Sequence, residues 1–554
     1  MKSPIEGFVW LLCGAALAAL LLCTAMLQKT LNWDAERNIV AAMQYEQGRS
    51  PNIMTLVTAD PNDLTRDRFV SDVARAPGYQ AVPYLLRRAG LSWDSALRVV
   101  VFVMLLAGGV GWTLCCRRIV PGGIAQPCLV LLLLLAPCNV TNTMEYSGGN
   151  LMVWATVPYL VLVNGLATRG GRIGWLLALL GGFGCVAVFL LKYSGVFVGI
   201  GLGLVWLWDS IRRAPRRRLF PFWVLGALLG VAAVLISHLP LAHTPVSQPS
   251  GCEKNPRVLV IGAWVTAMTD LASVLERAAK GMGLMGWDVE SFFVPIAGVA
   301  LGVLLAALAW NERDLLRDLA SRLGHAADSG RLSPAWFLVP AATDTLLYTG
   351  MILLHSIGVT SRIARMTGML MAPLVFVFLL QCAALGKRAS RVLAMALIAA
   401  LFVVPPTLGV SRLAREAIRL GQNRFTNPSG IENPSLGSTV DQARFVEELK
   451  AGLGSEERVL YVIDPKMILP IPRQRFVLVY VIDNHYTSGQ LEQMRFRGRP
   501  NAGVAILVPL PFVYDGRLKA IKKSFVDFQD WEQFPLPSAP QWQLWRSVPA
   551  NRGT

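Results

Sequence analysis

The chain has 554 residues, a mean hydropathy of +0.47 and a formal net charge of +17 at pH 7. Hydrophobic residues make up 54% of it, which is too apolar for a water-soluble globular protein. The positive charge does not indicate a nucleic-acid partner, because arginines and lysines cluster in short connectors between apolar runs, as in cytoplasmic loops of membrane proteins.

Apolar runs of about twenty residues, each long enough to cross a bilayer as a helix, recur along the first three quarters of the chain. They predict about eleven transmembrane helices, at 8–27, 97–116, 122–138, 149–167, 173–191, 194–209, 219–239, 291–310, 335–356, 366–386 and 391–410. The first run follows Lys2 as in a signal peptide, but it is longer than a usual signal sequence and no clear cleavage site follows. We therefore expect it to remain as the first helix.

The basic connectors also predict the orientation. If the N-terminus is cytoplasmic, every arginine-rich connector falls on the cytoplasmic side, as does the amphipathic segment Asn311–Ser333. An odd number of spans then places the C-terminus on the outer side of the membrane.

Three segments on the predicted outer side are long enough to fold: 28–96, 240–290 and the tail after Val410. We assign residues 1–410 to a transmembrane domain, 411–438 to a linker and 439–554 to a soluble extracytoplasmic domain. A helix followed by short strand-like runs predicts a small α/β or α+β fold for this last domain. The predicted helix is Asp441–Leu453, and the predicted strands are Arg458–Asp464, Phe476–Ile482, Val504–Val508 and Trp542–Val548.

Loop 28–96 contains an ordered series of motifs. It opens on Trp33-Asp34-Ala35-Glu36, followed by a helical stretch at Ala35–Glu46 that ends at Gly48-Arg49-Ser50-Pro51. Ala76-Pro77-Gly78-Tyr79 comes next, and Leu91-Ser92-Trp93-Asp94-Ser95-Ala96-Leu97-Arg98 runs into the second span. This order resembles the GT-C glycosyltransferases, which use polyprenyl-phosphate sugars and include protein O-mannosyltransferases and lipid A aminoarabinose transferases.

The resemblance continues beyond the loop, over roughly residues 1–410. Glu145, outside the third and fourth spans, matches a second acidic position of the family. Lys192-Tyr193-Ser194 resembles its Lys/Arg-Tyr turn, and Arg362 and Arg365 resemble its arginine-rich start of a late helix.

The resemblance implies a GT-C-like fold in a bacterial inner (plasma) membrane. It also implies an inverting transfer of sugar from a polyprenyl-phosphate donor to a lipid, glycan or protein acceptor. The first acid of the loop, Asp34, matches the family's catalytic base. The family usually has Asp and Glu side by side, whereas Ala35 separates them here, so Glu36 is the alternative base. Glu145 is a further catalytic candidate. Sugar transfer needs a base near the acceptor and cations near the departing phosphate. The cations assigned to the phosphate are Lys192, Arg362 and Arg365.

Three questions stay open. Some family members bind a divalent metal, and His238, His243 and His355 lie near the outer ends of spans, but no metal ligand is assigned. Asp344 is either a functional group within the ninth span or a capping residue at a misplaced boundary. The alternative functions are a secondary transporter or flippase of lipid-linked glycans, which would need charges along several spans, and a non-catalytic assembly subunit.

Overall fold

The structure is a computed structural model of the chain. It describes residues 4–26, 30–31, 39, 42, 53–55, 69–71, 76, 78–120, 122–143, 145–146, 149–167, 173–212, 214–238, 265–266, 268, 271–281, 294–325, 332–353, 365–419, 442–454, 458–462, 475–478, 503–514, 516–525, 528 and 530–548.

The first three quarters of the chain are helical. The helices are α1 (Pro4–Met26), α2 (Gly78–Arg88), α3 (Trp93–Ile119), α4 (Ala125–Leu134), α5 (Pro137–Asn142), α6 (Gly149–Ala167), α7 (Gly174–Leu191), α8 (Gly195–Arg212), α9 (Ala214–His238), α10 (Leu271–Gly281), α11 (Val294–Asn311), α12 (Arg313–His325), α13 (Ala335–Leu353), α14 (Arg365–Leu385), α15 (Arg388–Ile398) and α16 (Val404–Arg419). A π-helical turn, Ala399–Val403, joins the last two. Short strands lie between the early helices: β1 (Thr30–Leu31), β2 (Ile53–Thr55), β3 (Phe69–Ser71) and β4 (Glu145–Tyr146).

The predicted polytopic helical fold is confirmed. By length and composition, seven helices among the described residues can cross a membrane, and an eighth span results if α11 and α12 count as one span bent by 84°. The total of about eleven spans stays a prediction. The amphipathic segment expected after residue 311 is largely the helix α12, which turns away from the preceding apolar helix.

Contacts between helix ends show that the bundle has two distinct ends. At one end, Arg98 at the start of α3 donates a hydrogen bond to the carbonyl of Ala25 near the end of α1. At the other, the Leu332 amide donates to the carbonyl of Arg118 over 3.1 Å, which ties the start of α13 to the end of α3. The end with the Arg98–Ala25 contact is called the Lys192 end, because α7 also stops there. The end with the Leu332–Arg118 contact is called the arginine end.

The third predicted span is broken. Proline has no amide hydrogen and disfavours helical backbone in the residue before it, so α4 stops at Leu134 and a new helix starts at Pro137. The Asn139 side chain donates a hydrogen bond to the carbonyl of Leu133 over 2.7 Å. It replaces the backbone amide that this carbonyl would bond in a continuous helix. The break brings the chain to β4 at the Lys192 end.

A buried amide joins three helices of the bundle. Asn164 on α6 is fully buried and its Oδ1 accepts hydrogen bonds from the indole nitrogens of Trp206 at 2.7 Å and Trp223 at 2.9 Å. These donors lie on α8 and α9, so one polar side chain joins three helices. An amide with its partners inside the membrane is stable, since the alternative is an unsatisfied polar group in hydrocarbon.

The tail domain contains a mixed five-stranded sheet of order β6-β5-β7-β9-β8. Its elements are α17 (Gln442–Leu453), β5 (Arg458–Val462), β6 (Arg475–Leu478), β7 (Gly503–Pro509), α18 (Leu510–Tyr514), α19 (Arg517–Ser524), β8 (Trp531–Phe534) and β9 (Trp542–Ser547). Strands β6, β5 and β7 are parallel, and β9 is antiparallel to both β7 and β8. The predicted small domain of helices and strands is confirmed, while its exact boundary at 439 stays a prediction.

The tail domain lies next to loop 28–96. Strand β2 of this loop, which pairs with β3 as an antiparallel ribbon, contacts the edge strand β6 of the tail sheet. The tail sheet therefore lies beside the loop that carries the predicted catalytic acids.

Candidate functional site

A short turn at Lys192 connects two antiparallel apolar helices. Lys192 ends α7 in extended conformation, with φ −159° and ψ 125°, and its amide donates to the carbonyl of Val188 over 3.0 Å. The Gly195 amide then donates to the carbonyl of Lys192 over 2.8 Å and starts α8. Two residues separate the lysine from the next helix, so its side chain stays at this end of the bundle.

The end of loop 28–96 packs directly against this turn. Gly78, the first residue of α2, is so close to α7 that a Cβ atom would lie 2.5 Å from the carbonyl oxygen of Leu190. Only glycine allows this approach without displacing backbone. The Ala76-Pro77-Gly78-Tyr79 motif and the Lys192 turn, predicted separately, are therefore neighbours.

Asp344 is the buried acid at this end of the bundle. It lies in the interior of α13 and is 0% exposed, so the alternative of a capping residue at a helix boundary is wrong. Its Oδ2 accepts a hydrogen bond from the hydroxyl of Thr367 on α14. Lys192 interacts electrostatically with the same carboxylate. Among the described residues Oδ1 has no hydrogen-bond partner, so this oxygen can accept one from a group that enters the site.

Close contact between α8 and α13 holds this arrangement. Gly201 lies against the backbone of Pro340, and a Cβ on it would also lie 3.1 Å from the hydroxyl of Thr343. Nearer the Lys192 end, the rings of Phe197 and Tyr348 meet edge to face with centroids 5.2 Å apart. The small residue lets the helix that follows Lys192 approach the helix that carries Asp344.

One of the two predicted arginines, Arg365, is the first residue of α14. This helix begins at Arg365, two residues before Thr367, so its backbone is less than one turn from the hydrogen-bond donor of Asp344. The side chain of Arg365 and all of Arg362 lie outside the described residues. The structure thus brings Lys192 and the backbone of Arg365 to the same acid.

Two of the predicted acids, Asp34 and Glu36, belong to the start of loop 28–96 in the sequence. Asp34 and Glu36 lie outside the described residues, but β1 ends at Leu31 and pairs in parallel with β4, in the register Thr30 to Glu145 and Leu31 to Tyr146. At most about 11 Å of extended chain joins the Cα atoms of Leu31 and Asp34. Because Glu145 is described in its backbone alone, the strand pairing shows only that the start of the loop and Glu145 are adjacent.

The described part of loop 28–96 is partly helical. Ile39 and Ala42, one turn apart, are both helical and buried, which agrees with the helix predicted over Ala35–Glu46. Their burial means that one face of this segment packs onto the protein.

Histidines do not form a metal site in the described part of the chain. No group of three or more His, Cys, Asp or Glu side chains suited to a metal occurs among the described residues. His238 is the last residue of α9, and His243 and His355 lie outside the described residues.

A large apolar cavity lies elsewhere in the bundle. Helices α11, α12, α13 and α14, together with Val265 and Met268, line an open volume of about 1040 Å³, and its lining includes Leu316, Leu319 and Pro334 near the arginine end. Neither Lys192 nor Asp344 lines it, so it is separate from the polar site described above.

Comparison with solved structures finds several similar chains, among them an ArnT and an arabinofuranosyltransferase. The chain is 14% identical to ArnT from Cupriavidus metallidurans bound to undecaprenyl phosphate, over 99% of both chains, with a TM-score of 0.43. It is 11% identical to the arabinofuranosyltransferase AftD from Mycobacteria, over 98% of this chain and 40% of that one, with a TM-score of 0.45. No protein family and no curated protein matches the sequence.

Sequence reasoning missed Thr367 and the link between Lys192 and Asp344. A threonine near the start of an apolar helix is common, and only its position opposite a buried aspartate makes it notable. The signal in the sequence was Asp344 itself, because an acid inside a span requires a partner.

Proposed function

We propose that the chain is a glycosyltransferase that moves a sugar from a polyprenyl-phosphate donor to a lipid, glycan or protein acceptor at the Lys192 end. The observation that carries this proposal is the convergence of Lys192 and the start of α14 on Asp344, beside the packed end of loop 28–96. Cations held at one end of a membrane bundle suit the headgroup of a lipid phosphate.

In the proposed reaction, an acceptor hydroxyl attacks the anomeric carbon while the bond from that carbon to the phosphate oxygen breaks. Asp34, or Glu36 two residues along, takes the proton of the hydroxyl. The departing phosphate gains negative charge, which Lys192 and Arg365 stabilise. Attack opposite the leaving phosphate inverts the anomeric configuration.

In this scheme Asp344 is a positioning residue. Its carboxylate, oriented by Thr367, holds Lys192 towards the headgroup, and no atom of Asp344 needs to touch the reacting carbon. A lysine held in place by a fixed anion loses less side-chain freedom when the donor binds.

The donor class can be tested by lipid binding. The detergent-purified chain is extracted with organic solvent, and the extract is analysed by mass spectrometry. A polyprenyl phosphate should co-purify with the wild type and with Lys387→Ala, a cation at the arginine end, and much less with Lys192→Ala. If added polyprenyl phosphate does not bind and no sugar transfer follows, the proposal fails.

The orientation needs its own test. We propose that the Lys192 end is extracytoplasmic, because the arginine-rich connectors lie at the other end. A reporter fused at Thr439 should be active as alkaline phosphatase and silent as a fluorescent protein that folds only in the cytoplasm. The reverse pattern would put the proposed site on the cytoplasmic side.

A further inference from the structure

The tail domain carries a basic pocket lined by aromatic rings. It has a volume of about 570 Å³ and lies beside α19, which contributes Lys519, Lys522 and Lys523. Its other lining residues are apolar or aromatic: Val513, Leu518, Phe525, Phe528 and Trp531. The sugar transfer proposed above uses none of these side chains.

The aromatic wall of the pocket is well packed. The rings of Phe525, Phe528 and Trp531 meet one another edge to face, with centroids 5.6 Å to 6.5 Å apart. Phe525 is buried, while Phe528 and Trp531 are partly exposed towards the pocket. Rings held in this way offer a preformed apolar face, which suits the C–H side of a sugar ring.

The basic side of the pocket is centred on Lys522. Its Nζ lies 2.9 Å from the centroid of the Trp545 ring and 6.0 Å from that of Trp531. In the described part of the chain, Lys522 makes no ion pair, and burial lowers its pKa to about 8. An anion that enters the pocket would offset the loss of water around this ammonium group.

The described residues that line the pocket include three lysines and no acidic side chain. Lys519 and Lys523 are exposed on the same helix. Of the described acids nearby, Glu532 on β8 is engaged by Arg546 at 2.8 Å, and the exposed Asp530, which precedes β8, is outside the pocket lining.

We propose that this pocket binds a sugar that carries a phosphate or carboxylate group. The aromatic wall takes the apolar face of the sugar ring, and the three lysines take the anionic group. The shape is concave, which suits a bound sugar better than insertion of side chains into a bilayer. This inference concerns binding alone and does not depend on the transfer reaction.

The test uses the full chain in a neutral detergent, with glucose 1-phosphate, glucuronic acid, glucose and inorganic phosphate as probes in calorimetric titrations. At least one of the two acidic sugars should bind about tenfold or more tightly than glucose and than phosphate. Glucose lacks the anionic group, and inorganic phosphate lacks the sugar ring. Equal affinity for glucose would show that charge has no role, and equal affinity for phosphate would show a simple anion site. Either result overturns the proposal.

Variants then locate the binding. The double variant Lys519→Gln with Lys523→Gln, and separately Trp531→Leu, should weaken binding of the acidic sugar about tenfold or more. Lys450→Gln, an exposed lysine on α17 of the same domain, should bind as the wild type does. Retained hydrogen-exchange protection over residues 503–514 would show that the pocket variants are folded, and unchanged affinity in folded variants would overturn the proposal.

Two further measurements distinguish this pocket from the transfer site and from a lipid site. Lys192→Ala should bind the acidic sugar normally, because Lys192 is not part of the pocket. Loss of binding in this variant would mean that the titration reports the transfer site and would overturn the proposal.

Phosphatidylglycerol added to the micelles should not displace the sugar. Displacement would reassign the pocket to lipid headgroups and overturn the proposal.

Discussion

The hydroxyl of Thr367 donates a hydrogen bond to the buried carboxylate of Asp344, across two neighbouring helices of the bundle. Asp344 is 0% exposed, and its other oxygen has no hydrogen-bond partner among the described residues. A buried carboxylate with so few partners depends strongly on each one.

Removing this hydrogen bond should destabilise the protein. Thr367→Val removes the hydroxyl that donates to Oδ2 of Asp344 and keeps only the hydrogen bond from the Thr367 backbone, so we expect a loss of about 1–3 kcal/mol in the free energy of unfolding. Thr367→Ser keeps a hydroxyl and should lose much less. The control is Thr349→Val, whose hydroxyl donates only to the carbonyl of Thr345 in its own helix. Thermal melting in detergent measures all three, and equal melting temperatures for the two valine variants would contradict the prediction.

Asp344→Asn should affect use of the donor more than folding. The amide keeps the shape and can still accept from Thr367, but the negative charge that acts on Lys192 is lost. We expect a donor Michaelis constant raised by about tenfold, from weaker positioning of a charged group, with a smaller change in turnover. The assay is sugar transfer at varied donor concentration. A fall in turnover with an unchanged Michaelis constant would argue against the positioning role.

Lys192→Ala should lower both donor affinity and turnover. The charge on the leaving phosphate grows in the transition state, so removing this cation should cost about a hundredfold in kcat/KM. Lys387→Ala, at the arginine end, is the matched control and should retain full activity. Arg365→Ala should reduce donor use more than Arg362→Ala, because Arg365 is nearer to Thr367 along the chain. Wild-type kinetics for both Lys192→Ala and Arg365→Ala would leave these residues as helix-end anchors.

Gly78→Ala should disturb the same site from the loop side. The added Cβ would lie 2.5 Å from the Leu190 carbonyl and 3.0 Å from a methyl carbon of Leu191, so α2 or the Lys192 turn must move. We expect a loss of stability of about 1–3 kcal/mol together with reduced turnover. At Gly122 an added Cβ meets no atom of the described residues within 4 Å, so Gly122→Ala serves as the control in the same melting and transfer assays. Full activity and stability of Gly78→Ala would show that the close packing has no functional role.

Asp34→Asn should abolish most of the transfer while leaving donor binding intact. The amide has nearly the shape of the carboxylate but cannot take a proton, so turnover should fall by about two orders of magnitude or more. Glu36→Gln should cost much less. Activity lost in Glu36→Gln but kept in Asp34→Asn would move the base by two residues, and activity kept in both would contradict the proposed reaction.

Lys522 should make the stability of the tail domain depend on pH. Its pKa in the folded protein is about 8, against 10.5 for an ordinary lysine, because burial disfavours the charged form. Between these pH values the unfolded chain binds more protons than the folded one, so stability should rise with pH from about 8 towards 10.5; below about 8 the cost of the buried charge is fully present. Lys522→Met should lack this rise. Hydrogen exchange of residues 503–548, corrected for intrinsic rates, measures the stability of the tail domain at each pH. Parallel pH profiles for the wild type and Lys522→Met would refute the prediction.

The sequence alone predicted much of the fold and part of the site. Long apolar runs predict helices because a backbone inside a bilayer must form its hydrogen bonds within its own segment. The tail strands β5, β6, β7 and β9 were predicted from β-branched and apolar runs, whereas β8, with the sequence Trp531-Glu532-Gln533-Phe534, was missed because its central residues are polar. The break of the third span at Pro137 was also missed, because mean hydropathy over about twenty residues does not register a break of a few residues.

The tertiary structure decided which of these residues meet. Local periodicity places Asp344 and Thr367 on separate helices and Lys192 at a turn. It contains no information on how the three come together, which depends on how α8 packs on α13 at Gly201 and where α14 begins. The pairing of β1 with β4 likewise joins residues more than a hundred positions apart. The sequence by itself determined the helices and the ends at which charges lie, since both follow from local composition. Only helix packing and strand pairing, which depend on the shapes of surfaces distant in the chain, decided that one buried acid would accept a hydrogen bond from a threonine of another helix and interact electrostatically with a lysine at a turn.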